Sequence, residues 1–414
     1  MARHRLAVAP LRRRFEAEAP AALPSVDALV AAEQPADPLH CLRPRLIAAT
    51  ARTFLAAFPG EVMYAVKCNP EPRVLRALWA GGVRQFDCAS PAEVALVRQM
   101  FGAGATIRYM HPVKARPAIR DAYRQHLVRD FALDSADELE KILAETPQMA
   151  LVGRRAARGL GLHVRLALPK GAAVYDLSGK FGAAPDEAAR LLAAARPRAE
   201  RLGLCFHVGS QTMDARAFRQ ALTIAGEVIA RSGVKVDVLD VGGGFPVSYP
   251  DLLPPTLEAY VAAIAAGVEE AGLTGLQLWA EPGRALVAAG VSVVVQVQLR
   301  RGDTLFINDG IYGSLSDAGA PGFRFPARLI RAEGTPVSAA RVPFALFGPT
   351  CDSVDRMRGP FLLPEDVREG DYIEIGQLGA YGGALRTAFN GFDRAQMVEV
   401  GDPALIATPG YPSA

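Results

Sequence analysis

The sequence predicts an α/β protein: a parallel (β/α)₈ TIM-like barrel followed by a second domain that is a β-sandwich or β-barrel. Two observations indicate this fold class. Eight short apolar runs alternate with helical stretches up to about residue 285, and strand-like runs separated by turn signals follow. The eight runs lie at 62–66, 83–86, 107–110, 131–133, 162–164, 204–206, 236–241 and 276–280.

A residue capable of chemistry follows nearly every run. These residues are Lys67, Asp87, His111, Asp134, Arg165, His207, Gly242 and Glu281. Because a (β/α)₈ barrel assembles its active site at the C-terminal ends of its strands, we expect the chemistry there. Helices are predicted over 91–100, 137–145, 185–195 and 215–231, the first opened by Ser90 as N-cap and Pro91 at the first helical position.

Beyond Glu281 the runs become short and β-branched. They cover 291–299, 305–307, 327–330, 344–347 and 372–375, with turns at Arg301-Gly302-Asp303 and Glu369-Gly370-Asp371. We therefore expect three parts: 1–45, an N-terminal extension with one or two strands that join the β domain; 46–285, the barrel; and 286–414, the β domain.

Composition excludes several classes of function. The chain has 414 residues, 50% of them hydrophobic and 21% charged, and a net charge of +3 without a basic stripe, which disfavours nucleic-acid binding. No apolar run approaches the ~20 residues that span a bilayer. Five scattered cysteines predict reduced thiols and a cytoplasmic protein. The basic N-terminus lacks the apolar core of a secretory signal. A solvated N-terminal extension is favoured over an organellar transit peptide.

Three strand-end segments suggest a site for a carbonyl compound and an anion. Lys67 would be partly desolvated, which lowers its pKa and favours Schiff-base formation, although a solvated lysine is the alternative. The glycines of Asp240-Val241-Gly242-Gly243-Gly244 follow strand seven, where barrel enzymes often bind phosphate, or they serve a tight turn. Glu281-Pro282-Gly283-Arg284 adds a carboxylate and a cation after strand eight.

Further candidates have simpler alternatives. His207 could lie flat against an aromatic ring and Ser210 could bind a phosphate, although a lone histidine is more often a hydrogen-bonded core residue. For Arg165 and Asp87, the alternative to a functional role is a simple internal ion pair. In the β domain, Gly348–Asp355 carries a thiol and two carboxylates, and Tyr381 offers a phenol on a glycine-rich loop. Both segments belong to the β domain. They reach a barrel mouth only if that domain lies against it, either in the same chain or in a partner.

Together these segments resemble the fold-type III pyridoxal-phosphate decarboxylases, the ornithine/diaminopimelate/arginine decarboxylase family. The resemblance covers almost the whole chain. In order, its motifs are YAVKCN, FDCAS, HVGSQ, DVGGGFP, EPGR, NDGIYGS, GPTCDSVD and GAYGGALRTAFNGF. FDCAS, GPTCDS and TAFNGF are most similar to ornithine decarboxylases, and diaminopimelate decarboxylases typically have Cys-Glu-Ser where this chain has Cys351-Asp352-Ser353.

The resemblance implies an alanine-racemase-like barrel that holds pyridoxal 5′-phosphate, and no metal. It implies that Lys67 forms the Schiff base, that Glu281 pairs with the pyridine nitrogen, and that His207 stacks on the ring. A carboxylate beside that nitrogen favours its cationic form, which makes the ring an electron sink. Asp87 and Arg165 would orient the Schiff base and ring. The implied phosphate ligands are Ser210, Gly243, Gly244, Gly283, Arg284 and Tyr381.

The resemblance also implies a head-to-tail homodimer with shared active sites. Cys351 would return a proton to the substrate Cα, and Asp352 would meet the substrate's distal ammonium from across the interface. Ornithine decarboxylases place a Tyr-Asp pair soon after the YGS segment, and this chain does not. Tyr312 and Asp317 are therefore our other candidate substrate ligands, and Asp317 either substitutes for the missing acid or faces solvent.

We expect decarboxylation of L-ornithine to putrescine, a step of polyamine biosynthesis, with lysine decarboxylase or diaminopimelate decarboxylase as alternatives. An arginine decarboxylase or an amino-acid racemase would share the fold. Cys351 with Asp352, rather than a dedicated tyrosine base, favours decarboxylation. A non-catalytic regulatory homologue is the alternative from another class, and it usually lacks the lysine or phosphate contacts that are present here.

Overall fold

A computed structural model describes residues 23–146, 159–170, 173–175 and 179–408. The basic N-terminal segment, residues 1–20, lies outside the described residues. No helix in the described part of the chain is long and apolar enough to cross a membrane.

Eight parallel strands close into a barrel, which confirms the predicted fold class, and each predicted run overlaps one of them. Seven of these strands are buried along most of their length, and β11 along its second half, as expected when helices cover the outside of a parallel barrel. The barrel strands are β2 (Glu61–Ala65), β3 (Gln85–Cys88), β4 (Thr106–Tyr109), β5 (Asp130–Leu133), β6 (Gly161–Arg165), β8 (Arg201–Cys205), β10 (Val238–Asp240) and β11 (Gln277–Ala280).

The predicted helix start at Ser90 is present. Its side chain accepts a hydrogen bond from the N–H of Glu93 at 3.2 Å, and the Glu93 carboxylate accepts one from the N–H of Ala89 at 2.7 Å. These bonds satisfy backbone donors that a helix start leaves open. The helices are α1 (Val26–Glu33), α2 (Pro44–Ala57), α3 (Pro72–Ala80), α4 (Pro91–Phe101), α5 (Arg116–Arg124), α6 (Ala136–Glu145), α7 (Pro185–Ala195), α8 (Arg216–Ser232), α9 (Leu257–Glu270) and α10 (Arg284–Val287).

The C-terminal strands form one mixed sheet of eight strands in the described chain. An N-terminal strand, β1 (Leu39–Leu42), pairs with β12 in antiparallel and with β18 in parallel orientation. The other strands of the sheet are β12 (Val291–Arg301), β13 (Thr304–Ile307), β14 (Ala327–Ile330), β15 (Arg341–Phe347), β16 (Arg356–Pro364), β17 (Tyr372–Ile375) and β18 (Gln396–Glu399). Two short strands, β7 (Ala173–Tyr175) and β9 (Ser210–Thr212), pair beside the barrel mouth.

Candidate active site

Lys67 lies in a short turn at the end of β2, and its amine meets Asp87 on the neighbouring strand β3. The distance from Nζ to Oδ2 of Asp87 is 3.1 Å, and Asp87 is 2% exposed. The Asp87 carboxylate raises the pKa of Lys67, and this effect, with that of Glu281, outweighs the lowering by burial. The expected lowered pKa is therefore wrong, because the adjacent strand supplies an acid.

Glu281 follows β11 and forms a buried acid pair with Asp240 at the end of β10. Burial raises the pKa of Glu281 well above its usual value, and the charges of Asp240 and Asp87 add to that. Asp240 accepts a hydrogen bond from the N–H of Gly242 at 2.8 Å. Burial raises the pKa of Asp240, and the Gly242 N–H and the neighbouring Glu281 side chain lower it in part. In the described structure Oε1 of Glu281 has no partner. A buried acceptor of this kind fits the N–H of a pyridinium ring.

His207, after β8, presents an imidazole to the same space. Its Nδ1 accepts a hydrogen bond from the N–H of Gly209 at 3.0 Å, which fixes the ring. Burial lowers the pKa of His207, and the charges of Arg165 and Lys67 lower it further. A neutral imidazole therefore faces the site, together with Arg165 from the end of β6.

The glycine run forms a cradle that a side chain would fill. A Cβ on Gly243 would lie 2.7 Å from the carbonyl oxygen of Glu281 and 3.0 Å from Nε2 of His207. Gly244 has a φ of 104°, which side chains rarely adopt. Backbone without side chains at this edge of a barrel fits a phosphate, and Ser210 begins the strand beside it.

Arg284 begins α10 directly after Gly283, and it is bound on two sides. It donates to the hydroxyl of Tyr249 and to Oδ2 of Asp317, both at 2.8 Å, and its side chain is 5% exposed. The ring of Tyr381 lies 5.1 Å from the guanidinium group. Asp317 is itself buried, so the alternative that it faces solvent is wrong. Tyr249 and Asp317 were not predicted as partners of Arg284, because both are distant from it in sequence.

Cys351 and Asp352 of the β domain form a separate cluster. Asp352 accepts a hydrogen bond from the hydroxyl of Tyr312 at 2.5 Å, and this bond lowers the pKa of Asp352. Cys351 is exposed, and its Sγ lies 3.2 Å from Oδ1 of Asn390. Within the described residues, no hydrogen bond or ion pair joins this segment to Lys67 or Glu281. Exposed hydrophobic side chains follow the same loops: Val354, Leu385, Phe389 and Phe392.

The barrel mouth fits a pyridoxal-phosphate enzyme. An amine suits the cofactor's aldehyde, a buried acid suits its ring nitrogen, and a glycine cradle with a cation suits its phosphate. Residues 45–288 match the family model described as the pyridoxal binding domain of pyridoxal-dependent decarboxylases. The chain belongs to this family of lyases, and its cofactor is pyridoxal phosphate, as the resemblance implied.

Relatives match over most of their length. The lysine/ornithine decarboxylase of Selenomonas ruminantium is 32% identical over 339 residues, which cover 80% of this chain and 81% of the relative. The structure of Vibrio vulnificus lysine/ornithine decarboxylase with cadaverine is 32% identical, with a TM-score of 0.74 and coverage of 91% and 95%. Paramecium bursaria Chlorella virus arginine decarboxylase bound to agmatine is 28% identical, with a TM-score of 0.76 and coverage of 90% and 98%.

Proposed function

We propose that the protein decarboxylates a basic amino acid, with L-ornithine as the main substrate and L-lysine as the second. Putrescine and CO₂ are then the main products, and putrescine is a polyamine precursor. The observation that carries the proposal is the carboxylate of Asp352, oriented by Tyr312 and placed next to Cys351. An acid that must pair with a substrate cation discriminates strongly against substrates that lack the charge.

The barrel residues hold the cofactor, which supplies an electron sink for the electron pair left when CO₂ departs. Lys67 binds its aldehyde, and Asp87 keeps the nitrogen of Lys67 positively charged. Glu281 would accept a hydrogen bond from the ring N–H, and the neutral imidazole of His207 would contact the cofactor ring. Arg165, at the end of the neighbouring strand β6, contributes a positive charge beside His207.

The phosphate group binds at the glycine cradle. Its ligands are Ser210, Gly243, Gly244, Gly283, Arg284 and Tyr381. We assign Asp317 to this region, because its carboxylate is bound to Arg284. Asp317 therefore orients the phosphate-binding cation, and the distal ammonium of the substrate is left to Asp352.

Cys351 and Asp352 act in a neighbouring subunit of a homodimer. Three observations support this: Cys351 is exposed, its segment has no described bond to the Lys67 cluster, and hydrophobic side chains are exposed on the adjoining loops. Cys351 donates the proton that replaces CO₂ on Cα. The five described cysteines are free thiols, four of them buried, which supports a reducing, cytoplasmic setting.

Hybrid dimers test the shared site. Lys67→Ala and Asp352→Ala proteins, each inactive alone, are mixed after mild dissociation. Random pairing places one intact site in each mixed dimer, so we expect about a quarter of wild-type activity. A monomer in gel filtration, or a mixture without activity, contradicts the shared site.

Substrate choice is tested by kcat/KM for L-ornithine, L-lysine, L-arginine and meso-diaminopimelate. One methylene is worth ~1–3 kcal/mol in a pocket, so we expect L-lysine to fall roughly tenfold or more below L-ornithine. The distal carboxylate of diaminopimelate would face Asp352, and like charges disfavour that complex. A preference for diaminopimelate contradicts the proposed role of Asp352. A protein that binds the cofactor but turns over none of the four favours the regulatory alternative.

A further inference from the structure

A side chain that the proposed chemistry does not use lies against the thiol of Cys351. Oδ1 of Asn390 accepts a hydrogen bond from the backbone N–H of Cys351 at 3.1 Å, and the Sγ of Cys351 lies 3.2 Å from the same oxygen. Because a backbone N–H can only donate, it identifies the facing atom as the amide oxygen and not the amide nitrogen. The thiol therefore faces an acceptor, and its S–H group is the donor of this contact.

The backbone conformation at Asn390 explains why an asparagine suits this position. Asn390 has a φ of 53° and a ψ of 11°, in the left-handed region, within the short turn Phe389–Gly391. Asparagine, aspartate and glycine adopt this region more readily than other residues. The amide on this turn reaches Cys351, which lies 39 residues earlier in the sequence.

The loop that carries Asn390 is attached to the loop of Tyr312 by two contacts. The N–H of Thr387 donates to the carbonyl oxygen of Tyr312 at 2.8 Å, and the ring of Phe389 lies 4.8 Å from the ring of Tyr312. The hydroxyl of Tyr312 in turn donates to Asp352. The loops of Asn390 and Tyr312 therefore contact two neighbouring residues of one segment.

A buried ion pair fixes these two loops to each other. Arg386, on the loop of Asn390, donates to Oδ2 of Asp309 at 2.9 Å and to Oγ of Ser314 at 2.7 Å. Asp309 is 1% exposed and also accepts a hydrogen bond from the N–H of Ser314 at 3.0 Å. Asp309 and Ser314 lie on either side of Tyr312 in sequence. The surroundings of the thiol are therefore assembled within one chain.

We propose that Asn390 is a positioning residue for Cys351: its amide oxygen fixes the sulfur in one place, from which the thiol proton is delivered to the substrate. The inference rests on the proposed role of Cys351 as proton donor. In that step the S–H bond breaks and a C–H bond forms at Cα. The sulfur keeps the electron pair and then regains a proton from water.

Two substitutions separate the amide of Asn390 from its backbone conformation. Asn390→Gly keeps the left-handed turn and removes the amide, whereas Asn390→Asp keeps both the turn and an acceptor oxygen. Asn390 is exposed, so neither change opens a cavity in the core. We expect Asn390→Gly to lower kcat roughly tenfold and to change the KM of L-ornithine less than about twofold, because a misplaced donor slows a step after binding. Asn390→Asp should keep kcat within about threefold of the wild type.

The destination of the proton is a second readout. A proton that reaches the cofactor instead of Cα leaves the substrate nitrogen on the cofactor as pyridoxamine phosphate, and water supplies the oxygen of an aldehyde product. We expect Asn390→Gly to form about ten times more pyridoxamine phosphate per turnover than the wild type, measured by chromatography after acid release of the cofactor. A change that only weakened the fold would not alter this ratio.

The apoprotein gives a third readout that does not depend on turnover. All five cysteines lie in the described part of the chain, and only Cys351 is exposed, so the fast phase of alkylation by iodoacetamide reports this thiol. Alkylation must break the contact with the amide oxygen, so we expect Asn390→Gly to react roughly threefold or more faster than the wild type, and Asn390→Asp to resemble the wild type.

Gln34→Gly is the matched control. Gln34 is an exposed amide residue at another left-handed position, with a φ of 41°, at the end of α1. Its replacement should leave kcat, the pyridoxamine phosphate ratio and the alkylation rate unchanged.

The outcomes separate the two levels of inference. Wild-type turnover in Cys351→Ala refutes the proposed role of Cys351. An impaired Cys351→Ala together with an Asn390→Gly variant that matches the wild type in all three readouts refutes the role of Asn390 alone. An Asn390→Asp variant as impaired as Asn390→Gly shows that the acceptor oxygen does not position the thiol, and this also overturns the inference.

Discussion

The ion pair between Arg284 and Asp317 allows a sharp prediction about cofactor binding. Asp317→Asn keeps the size of the side chain and removes its charge. Arg284 is then left in a buried position with the hydroxyl of Tyr249 as its remaining described partner. Removing one partner of a buried ion pair costs ~3–5 kcal/mol, and the amide oxygen still accepts a hydrogen bond, so we expect a loss of ~2–3 kcal/mol in the apoprotein.

In the proposed site, the phosphate of the cofactor would supply the missing negative charge. The variant's apoprotein carries an uncompensated cation. The binding free energy of the cofactor should therefore be more favourable for the variant than for the wild type. If half of the lost energy returns, ~1.4 kcal/mol, the Kd of pyridoxal phosphate falls about tenfold. The variant should therefore be less stable without cofactor, and the cofactor should raise its Tm by more than it raises the wild-type Tm.

Thermal unfolding with and without pyridoxal phosphate measures both effects. Pyridoxal, which lacks the phosphate, is the matched ligand and should bind the two proteins alike. Glu270→Gln is the matched variant, because it breaks an exposed pair with Arg219 and should leave both Tm values unchanged. An Asp317→Asn apoprotein as stable as the wild type, or a smaller cofactor effect, would refute this reasoning.

Three further predictions follow from the same structure. Ser90→Ala removes the cap of α4 and should lower the free energy of unfolding by ~1 kcal/mol in guanidinium denaturation. Cys351→Ala should leave the cofactor absorbance intact and reduce turnover about 100-fold or more in a coupled CO₂ assay. Burial raises the pKa of Glu281, so the folded apoprotein keeps a proton that the unfolded chain releases above about pH 4.5. Stability should then fall with rising pH, and Glu281→Gln should flatten that dependence in denaturation between about pH 5 and pH 8.

The barrel and its strand-end residues were predictable because each signal is local. A strand buried on both faces is a continuous apolar run, and the residue after it must lie at the rim. Lys67, Asp87 and Glu281 follow directly from this rule. The strands of the β domain were harder to predict. β16 contains Gly359 and Pro360, residues that disfavour a strand, and β18 pairs with a strand more than 350 residues away in sequence.

Side-chain contacts between different elements were not predictable. The sequence gives no reason to associate Arg284 with Asp317, and it does not show that Gly203 leaves space for His163. The pKa of Lys67 was predicted in the wrong direction for the same reason. Burial lowers the pKa of Lys67, but the charge of Asp87 on the neighbouring strand raises it by more.

The way the acids of the barrel mouth are engaged explains why recognition of the substrate has to come from another surface. Asp87 is bound to Lys67, Glu281 is buried beside Asp240, and Asp317 is bound to Arg284. Each of these acids is buried, and in the proposed function each serves the cofactor, which leaves none of them for a distal ammonium. Asp352 is different, since its single side-chain partner is a neutral hydroxyl and its lowered pKa keeps it anionic at neutral pH. In the proposed function, selection for a basic side chain therefore rests on Asp352 of the β domain, contributed by the second subunit of the proposed homodimer.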